Sequence, residues 1–212
     1  MHSSVVRPTL PLLLAVAVLV AACGGGSNSQ AAAPEEELDT SKFDEVVLRA
    51  EEAPPGTEYL ADRSGVLVLE DLWPSDCCPG QQVAFDDLGF RTAYAGVFEK
   101  PGHTSDPIDT RPGWEVVSSA AVLFETSTGA SEALGSWLAY YESPVLDRLP
   151  TDGLGEENVA VTGSPNAPAE VFFLYLWRVD RAVLALRASA GTGSVSVEDV
   201  RALVDRMDAR IS

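Results

Sequence analysis

The spacing of apolar and polar positions changes several times along this chain, and each change marks an element. In "TSKFDEVVLRAEEA", Phe43, Val46, Val47 and Ala50 recur at i, i+3, i+4 and i+7. That spacing predicts an amphipathic helix, capped by Thr40 or Ser41 and ended by Pro54, Pro55 and Gly56. Two short extended pieces follow near 57–61 and 65–70, then a helix over 79–88 closed by Gly89. "GFRTAYAGVFEK" alternates as a strand does, with Phe90, Thr92, Tyr94 and Phe98 on one side. Residues 101–113 are rich in Pro and Gly, lack any period and read as a loop. "WEVVSSAAVLFET" is apolar enough to be a strand buried on both faces. "GASEALGSWLAYYES" returns to helical spacing, turning Ala130, Ala133, Leu134, Trp137, Leu138 and Tyr141 inward.

The second half follows the same logic. "ENVAVTG" and "AEVFFLYLWRV" read as strands, and "RAVLALRAS" as the hairpin partner of the latter across Asp180 and Arg181. Ser196 caps a last helix with Val197, Val200, Leu203, Val204 and Met207 on one face, and Asp199 stands where a capping box needs an acid. Short turns between consecutive strands imply antiparallel pairing. The expected fold is α+β: an antiparallel β-sheet with helices packed on it, in two strand-strand-helix halves.

The N-terminus has a different pattern. Residues 1–9 carry one firm positive charge, Arg7, and Leu10–Ala22 is apolar apart from Pro11. That run is shorter than the ~20 residues of a spanning helix, and it ends on small residues, as a secretory signal does. Val20, Ala21, Ala22 and Cys23 read aliphatic, small, small, cysteine, which resembles the lipobox of bacterial lipoproteins. The resemblance implies a signal peptide over 1–22 and cleavage before Cys23. It also implies a covalent diacylglycerol and acyl (palmitate-type) lipid on that thiol, and a protein held on the extracytoplasmic side of the cell membrane. An ordinary secretory signal with a chance cysteine is the other reading. Two or more acyl chains anchor stably where one is marginal. Residues 23–40 then form a flexible linker, in which Gly24, Gly25 and Gly26 favour a tether and Glu35, Glu36 and Glu37 repel one another. Such a tether spans about 20–25 Å. A single domain is expected over 41–212.

Charge narrows the partners. The 14 basic and 32 acidic residues give a formal net charge of −18. Nucleic acid is excluded as a partner, since it demands basic surface, and so is lying flat on an anionic leaflet. The remaining candidates are the membrane, reached through the anchor, and a small ligand or another envelope protein.

The segments "LPTDGLGEENVAV", "LYLWRVDRAVLALRASAG" and "SVEDVRALVDRMDARI" resemble a pattern in cell-envelope lipoproteins of high-GC Gram-positive bacteria. The same pattern is similar to the extracytoplasmic sensor domains of PknH-type receptor kinases. It comprises a Leu-Gly-acidic turn (Leu154, Gly155, Glu156), an apolar strand ending at Arg178, a tight turn, a second strand and the helix 196–210. The likeness covers about residues 90–211. It implies an antiparallel α+β fold with a ligand-sized cleft. Those sensor domains carry two disulfides that this chain does not match.

No catalytic motif accompanies the pattern. After signal cleavage one histidine remains, His103, in the Pro/Gly-rich loop near Ser105 and Asp106. A triad needs that ring held by a carboxylate and within reach of a serine, and an exposed loop histidine is the expectation. One histidine also excludes zinc sites built on two. Aligned as a calcium loop, "DRLPTDGLGEENV" puts Arg148, Pro150 and Val159 where ligands are required, and fails. "GTGSVS" at 191–196 lacks the further parallel strand of a dinucleotide site and reads as a turn. Asp86 with Asp87 and Glu156 with Glu157 are sequence neighbours, so each pair is expected to point apart. No cofactor beyond the lipid on Cys23 and no metal site is expected.

Cys77 and Cys78 are adjacent. Outside the cytoplasm thiols tend to be oxidised, and with Cys23 lipidated these two are each other's only partners. A vicinal disulfide, two free thiols and a redox or metal-responsive pair all fit the spacing. Trp73 and Trp114 border loops; they are candidate ligand contacts, with core packing as the other reading of both. The expected function is that of a membrane-anchored, extracytoplasmic, sensor-like lipoprotein that binds a ligand or protein without catalysis. The alternative is a cell-envelope hydrolase using acidic residues in an aromatic cleft.

Overall fold

The computed structural model describes residues 42–76, 78–103, 112–141, 146–164 and 170–211, all within one compact unit, Glu37–Ser212. Its strands are β1 (Glu58–Tyr59), β2 (Gly65–Leu67), β3 (Phe90–Glu99), β4 (Trp114–Phe124), β5 (Asp147–Arg148), β6 (Glu157–Gly163), β7 (Glu170–Val179) and β8 (Ala182–Gly191). Its helices are α1 (Phe43–Val46), α2 (Leu69–Leu72), α3 (Pro79–Asp87), α4 (Ser127–Tyr141) and α5 (Val197–Ile211). The eight strands form one antiparallel sheet in the order β1-β3-β4-β8-β7-β6-β5, and β2 also pairs with β3. The expected α+β architecture is what the chain adopts.

Each face of the sheet carries its own core. Under α1 and α5 lie Phe98, Val117, Tyr175, Trp177, Leu184 and Leu186. Under α2, α3 and α4 lie Val122, Phe124, Phe172, Leu174, Leu176 and Val183. Because side chains alternate along a strand, β7 and β8 serve both layers and read as continuous apolar runs. The β7–β8 hairpin turns at Asp180, whose φ of 50° is a left-handed conformation that Asp tolerates. Helix α5 is closed at its start by the expected capping box. The Asp199 N–H donates to Ser196 Oγ at 3.2 Å, and the Ser196 N–H donates to Asp199 Oδ2 at 2.9 Å. Its Val200, Leu203, Val204 and Met207 are buried, each contributing about 1.5–3 kcal/mol.

Three expectations are corrected. The helix expected over 40–53 is only α1, followed by extended chain at Val47 and a single 3-10 turn, Ala50–Glu52. Val46, Val47 and Leu48 are consecutive and all buried, which no helix face allows. The Leu48 N–H leaves helical bonding to donate to Ser119 Oγ of β4 at 3.0 Å. The extended piece expected over 65–70 ends at Leu67, where the Val68 N–H donates to the Asp71 side chain at 3.1 Å and starts α2. Phe90 does not share a side with Tyr94 and Phe98. The register shifts between Phe90 and Thr92, and this β-bulge turns Phe90 towards Phe124 in the other layer. The short edge strand β5 has no counterpart in the hydrophobic pattern.

Candidate functional site

Strand β8 is the middle strand of the sheet, and along it every residue is buried except Arg187. A charge at the centre of a sheet is tolerated only where water or a partner reaches it. Water reaches this one through a cleft of about 440 Å³ on the α2/α4 face. Two rows of directly opposed residues make the floor. One runs Val97, Ser118, Arg187, Leu174, and the other includes Ala95, Ala120 and Ala185. The alanines keep the floor low.

One wall comes from α4, through Trp137 and Tyr141. Thr126 holds the start of that helix by accepting the Gly129 N–H at 3.0 Å. The facing wall is β2, α2 and the turn Asp62–Ser64. Ser64 Oγ pins the turn to the sheet, accepting the Val97 N–H at 2.9 Å and donating to Leu60 O at 2.7 Å. Trp73 closes the end of α2, with its ring edge-on to Phe85, Trp137 and Tyr140 at centroid distances of 5.2–5.7 Å. Its buried indole N–H has no hydrogen-bond partner among the described residues.

Arg187 makes no hydrogen bond or ion pair with any described residue. Its guanidinium carbon lies 5.7 Å from the centre of the Phe172 ring, and that ring stacks on Tyr141 at 5.6 Å. Ring contacts hold a guanidinium without using its N–H groups. Burial pushes the Tyr141 phenol above its ordinary 10.0, against the opposing pull of Arg187. The other charges of the cleft are Asp62, Arg63 and Asp71. Arg63 is paired with Glu99 at 2.8 Å, Asp71 accepts the Val68 N–H, and Asp62 is exposed on its turn.

The sequence-based candidates separate in space. Trp73 is at the cleft. Trp114 belongs to the opposite core layer, among the residues under α1 and α5. Cys78 is disulfide-bonded and buried, with its Sγ 3.4 Å from the hydroxyl of Tyr140. Cys77 and Cys23 lie outside the described residues, as do Ser105 and Asp106.

His103 is not the exposed loop histidine expected. It is half-buried, with Nδ1 3.1 Å from the buried Glu115 of β4, and Glu115 also pairs with Lys100 at 2.8 Å. The Lys100 ammonium also donates to Pro112 O at 3.1 Å. The buried carboxylate thus ties the start of the 101–113 loop to the sheet, and Lys100 reaches Pro112 near its other end. Glu156 and Glu157 do not point apart: both reach Arg178, at 2.6 and 2.9 Å. Among the described residues no group of three His, Cys, Asp or Glu could hold a metal, and no helix is long and apolar enough to cross a membrane.

Arg187, Ser118 and Tyr141 were not singled out as site residues from the sequence. For Arg187 the available signal was a lone charge in the apolar run "AVLALRASAG".

No family model matches the chain, and no curated protein does. Among solved structures it is similar to the extracellular domain of PknH from Mycobacterium tuberculosis. The two share 11% identity over 82% of this chain and 96% of that one, with a TM-score of 0.50. At that identity the likeness is one of fold, and the two domains share the α+β architecture described above.

Proposed function

We propose that this protein is a lipid-anchored, extracytoplasmic, sensor-like domain that binds a ligand in the α2/α4 cleft and performs no catalysis. The observation that carries this reading is Arg187, held by Phe172 and without a hydrogen-bond or ion-pair partner among the described residues, at the floor of a cleft of mixed polar and apolar lining. Small-molecule sites combine apolar walls with a few placed polar groups in about this volume. The envelope setting rests on the lipobox at Cys23, and the PknH-like fold is in keeping with it.

The hydrolase alternative is less well served by the geometry. A general acid or base near neutral pH is tuned by burial or close neighbours. The cleft carboxylates Asp62 and Asp71 are both exposed, and Asp71 is occupied by a backbone N–H. The part-buried Glu115–His103 contact is not among the groups lining the cleft.

The test uses the chain from Gly24 onward, which carries the whole compact unit without its lipid. A neutral solvatochromic dye should bind and brighten. At a concentration of 100 times its Kd it should stabilise the fold by about 2.7 kcal/mol. Ala185→Phe, or Ser118→Leu if that variant misfolds, should abolish binding by filling the cleft. Equal dye binding by a folded, filled variant refutes the cleft as the site. Turnover of an envelope ester or glycan that is lost in Asp62→Asn or Asp71→Asn would replace binding with hydrolysis.

A further inference from the structure

We infer that the cleft's ligand is a single-headed anionic amphiphile, a fatty-acid-like monocarboxylate, whose head is held by Arg187 and Ser118. This deepens the binding reading above and rests on it. Arg187 and Ser118 are direct cross-strand partners on β8 and β4, so their Cβ atoms are about 4.5–5.5 Å apart. Both line the cleft. Among the described residues no hydrogen bond uses the Ser118 hydroxyl or the Arg187 guanidinium. Together they present a planar fork of N–H donors and one O–H on the same stretch of floor. A guanidinium fork matches a carboxylate bidentately, and the hydroxyl adds a donor from the neighbouring strand.

The surroundings limit the charge and shape of what binds. The chain carries a formal net charge of −18, and two carboxylates, Asp62 and Asp71, stand at the facing wall. A polyanion would meet, among the described residues, one lining guanidinium without an ion-pair partner, against a negative field. One carboxylate is the charge a single guanidinium can neutralise. Around the head lie Val97 on one side and Leu174 on the other, the floor alanines, and the rings of Trp137 and Tyr141, which offer an alkyl chain apolar contact beside two ring polar groups. At ~30 Å³ for each water-sized group, 440 Å³ holds a chain of about twelve carbons with its carboxylate. Val66, which is 72% exposed at the facing wall, leaves an apolar lip on the open side.

The experiment measures binding to the chain from Gly24 onward by displacement of the neutral dye, at concentrations where every probe is monomeric. The probes are laurate, dodecanol and dodecyltrimethylammonium. Laurate should bind at least about tenfold more tightly than dodecanol, the scale expected for hydrogen bonds to a charged group. The ammonium probe should bind more weakly than dodecanol. Arg187→Gln should make laurate and dodecanol equal while dye binding persists, Arg187→Lys should restore part of the preference, and Ser118→Ala should reduce it a few-fold. Equal binding of laurate and dodecanol by the wild type, or an undiminished preference in Arg187→Gln, overturns the inference and leaves the cleft as a site that does not select an anionic head through Arg187. Preference for the ammonium probe also overturns it, since the wall carboxylates would then set the charge. Failure of the dye and all three probes to bind the folded wild type removes the binding reading itself, and this inference with it.

Discussion

Gly96→Ala tests the contact that separates the observed N-terminal segment from the expected helix. Gly96 lies in β3, opposite Ser119 of β4. A Cβ at position 96 would come within 2.3 Å of the Leu48 carbonyl oxygen and 3.1 Å of Ser119 Oγ. The first neighbour is backbone and cannot rotate away. The second is committed, because Ser119 Oγ accepts the Leu48 N–H at 3.0 Å and donates to Gly96 O at 3.2 Å. Inserting the methyl group costs about 1–3 kcal/mol in overpacking. Lifting Leu48 off Ser119 leaves a buried N–H unsatisfied, for a further ~1–3 kcal/mol. A loss near 3 kcal/mol lowers the Tm of a domain this size by about 6–12 °C. Thermal unfolding followed by far-UV circular dichroism measures it. Ser119→Ala removes the hydrogen bond without the clash and should cost less. The double variant should lose less than the sum, because both changes act on Leu48. Dye binding should persist below the melt, since Gly96 faces the layer away from the cleft. A Gly96→Ala domain melting within about 2 °C of wild type refutes the close approach and the account of the Leu48 segment built on it.

Two further outcomes follow from particular residues. The hydrogen bond from the Ser131 hydroxyl and the contacts of Arg178 hold Glu157 below its ordinary 4.5, against a smaller opposing effect of burial. The unfolded chain therefore binds the extra proton first, and the stability Glu157 contributes is full above about pH 4.5 and lost as pH falls through its folded value. Denaturant titrations should show the gap between wild type and Glu157→Gln closing below about pH 4.5; a gap that widens there contradicts the assignment. At the anchor, Cys23→Ser should leave the protein unlipidated and out of the membrane fraction. Intact-mass analysis of the wild type should find the acyl groups on an N-terminal Cys23; an unmodified mature terminus at another residue would remove the lipoprotein assignment.

The parts of the fold that could be read from the sequence are those where one period serves one surface. Strands β7 and β8 sit between two cores, so their unbroken apolar runs match their burial, and α5 repeats its apolar face cleanly behind a capping box. The misreadings share a cause. The stripe Phe43, Val46, Val47, Ala50 has helical spacing, yet Leu48 beside it is just as buried. A tertiary bond to Ser119, 71 residues away, decides the local conformation over propensity. The bulge that reverses Phe90 inserts one residue and leaves no compositional trace. His103 was placed on an exposed loop because its carboxylate, Glu115, comes from the next strand. The candidate site was harder still. Trp73 and Trp114 both border loops, and only the three-dimensional packing sends one to the cleft and the other to the opposite layer. Ser118 and Ser119 are adjacent serines in one apolar strand; the Ser119 hydroxyl is committed to Leu48 and Gly96, while no hydrogen bond among the described residues uses that of Ser118.

The cleft exists because of element lengths. Among the described residues, α2 and α4 stand on either side of the row Val97, Ser118, Arg187, Leu174, in which Val97 and Leu174 are buried and Arg187 is exposed. A continuous helix over that row would bury Arg187 without a partner, at a cost of several kcal/mol for an unpaired ion. An apolar residue at 187 would instead let the row be covered as the rest of the α4 face is. The charge and the gap in the helical layer therefore require each other. Only the register of β4 against β8 shows that they are the same site.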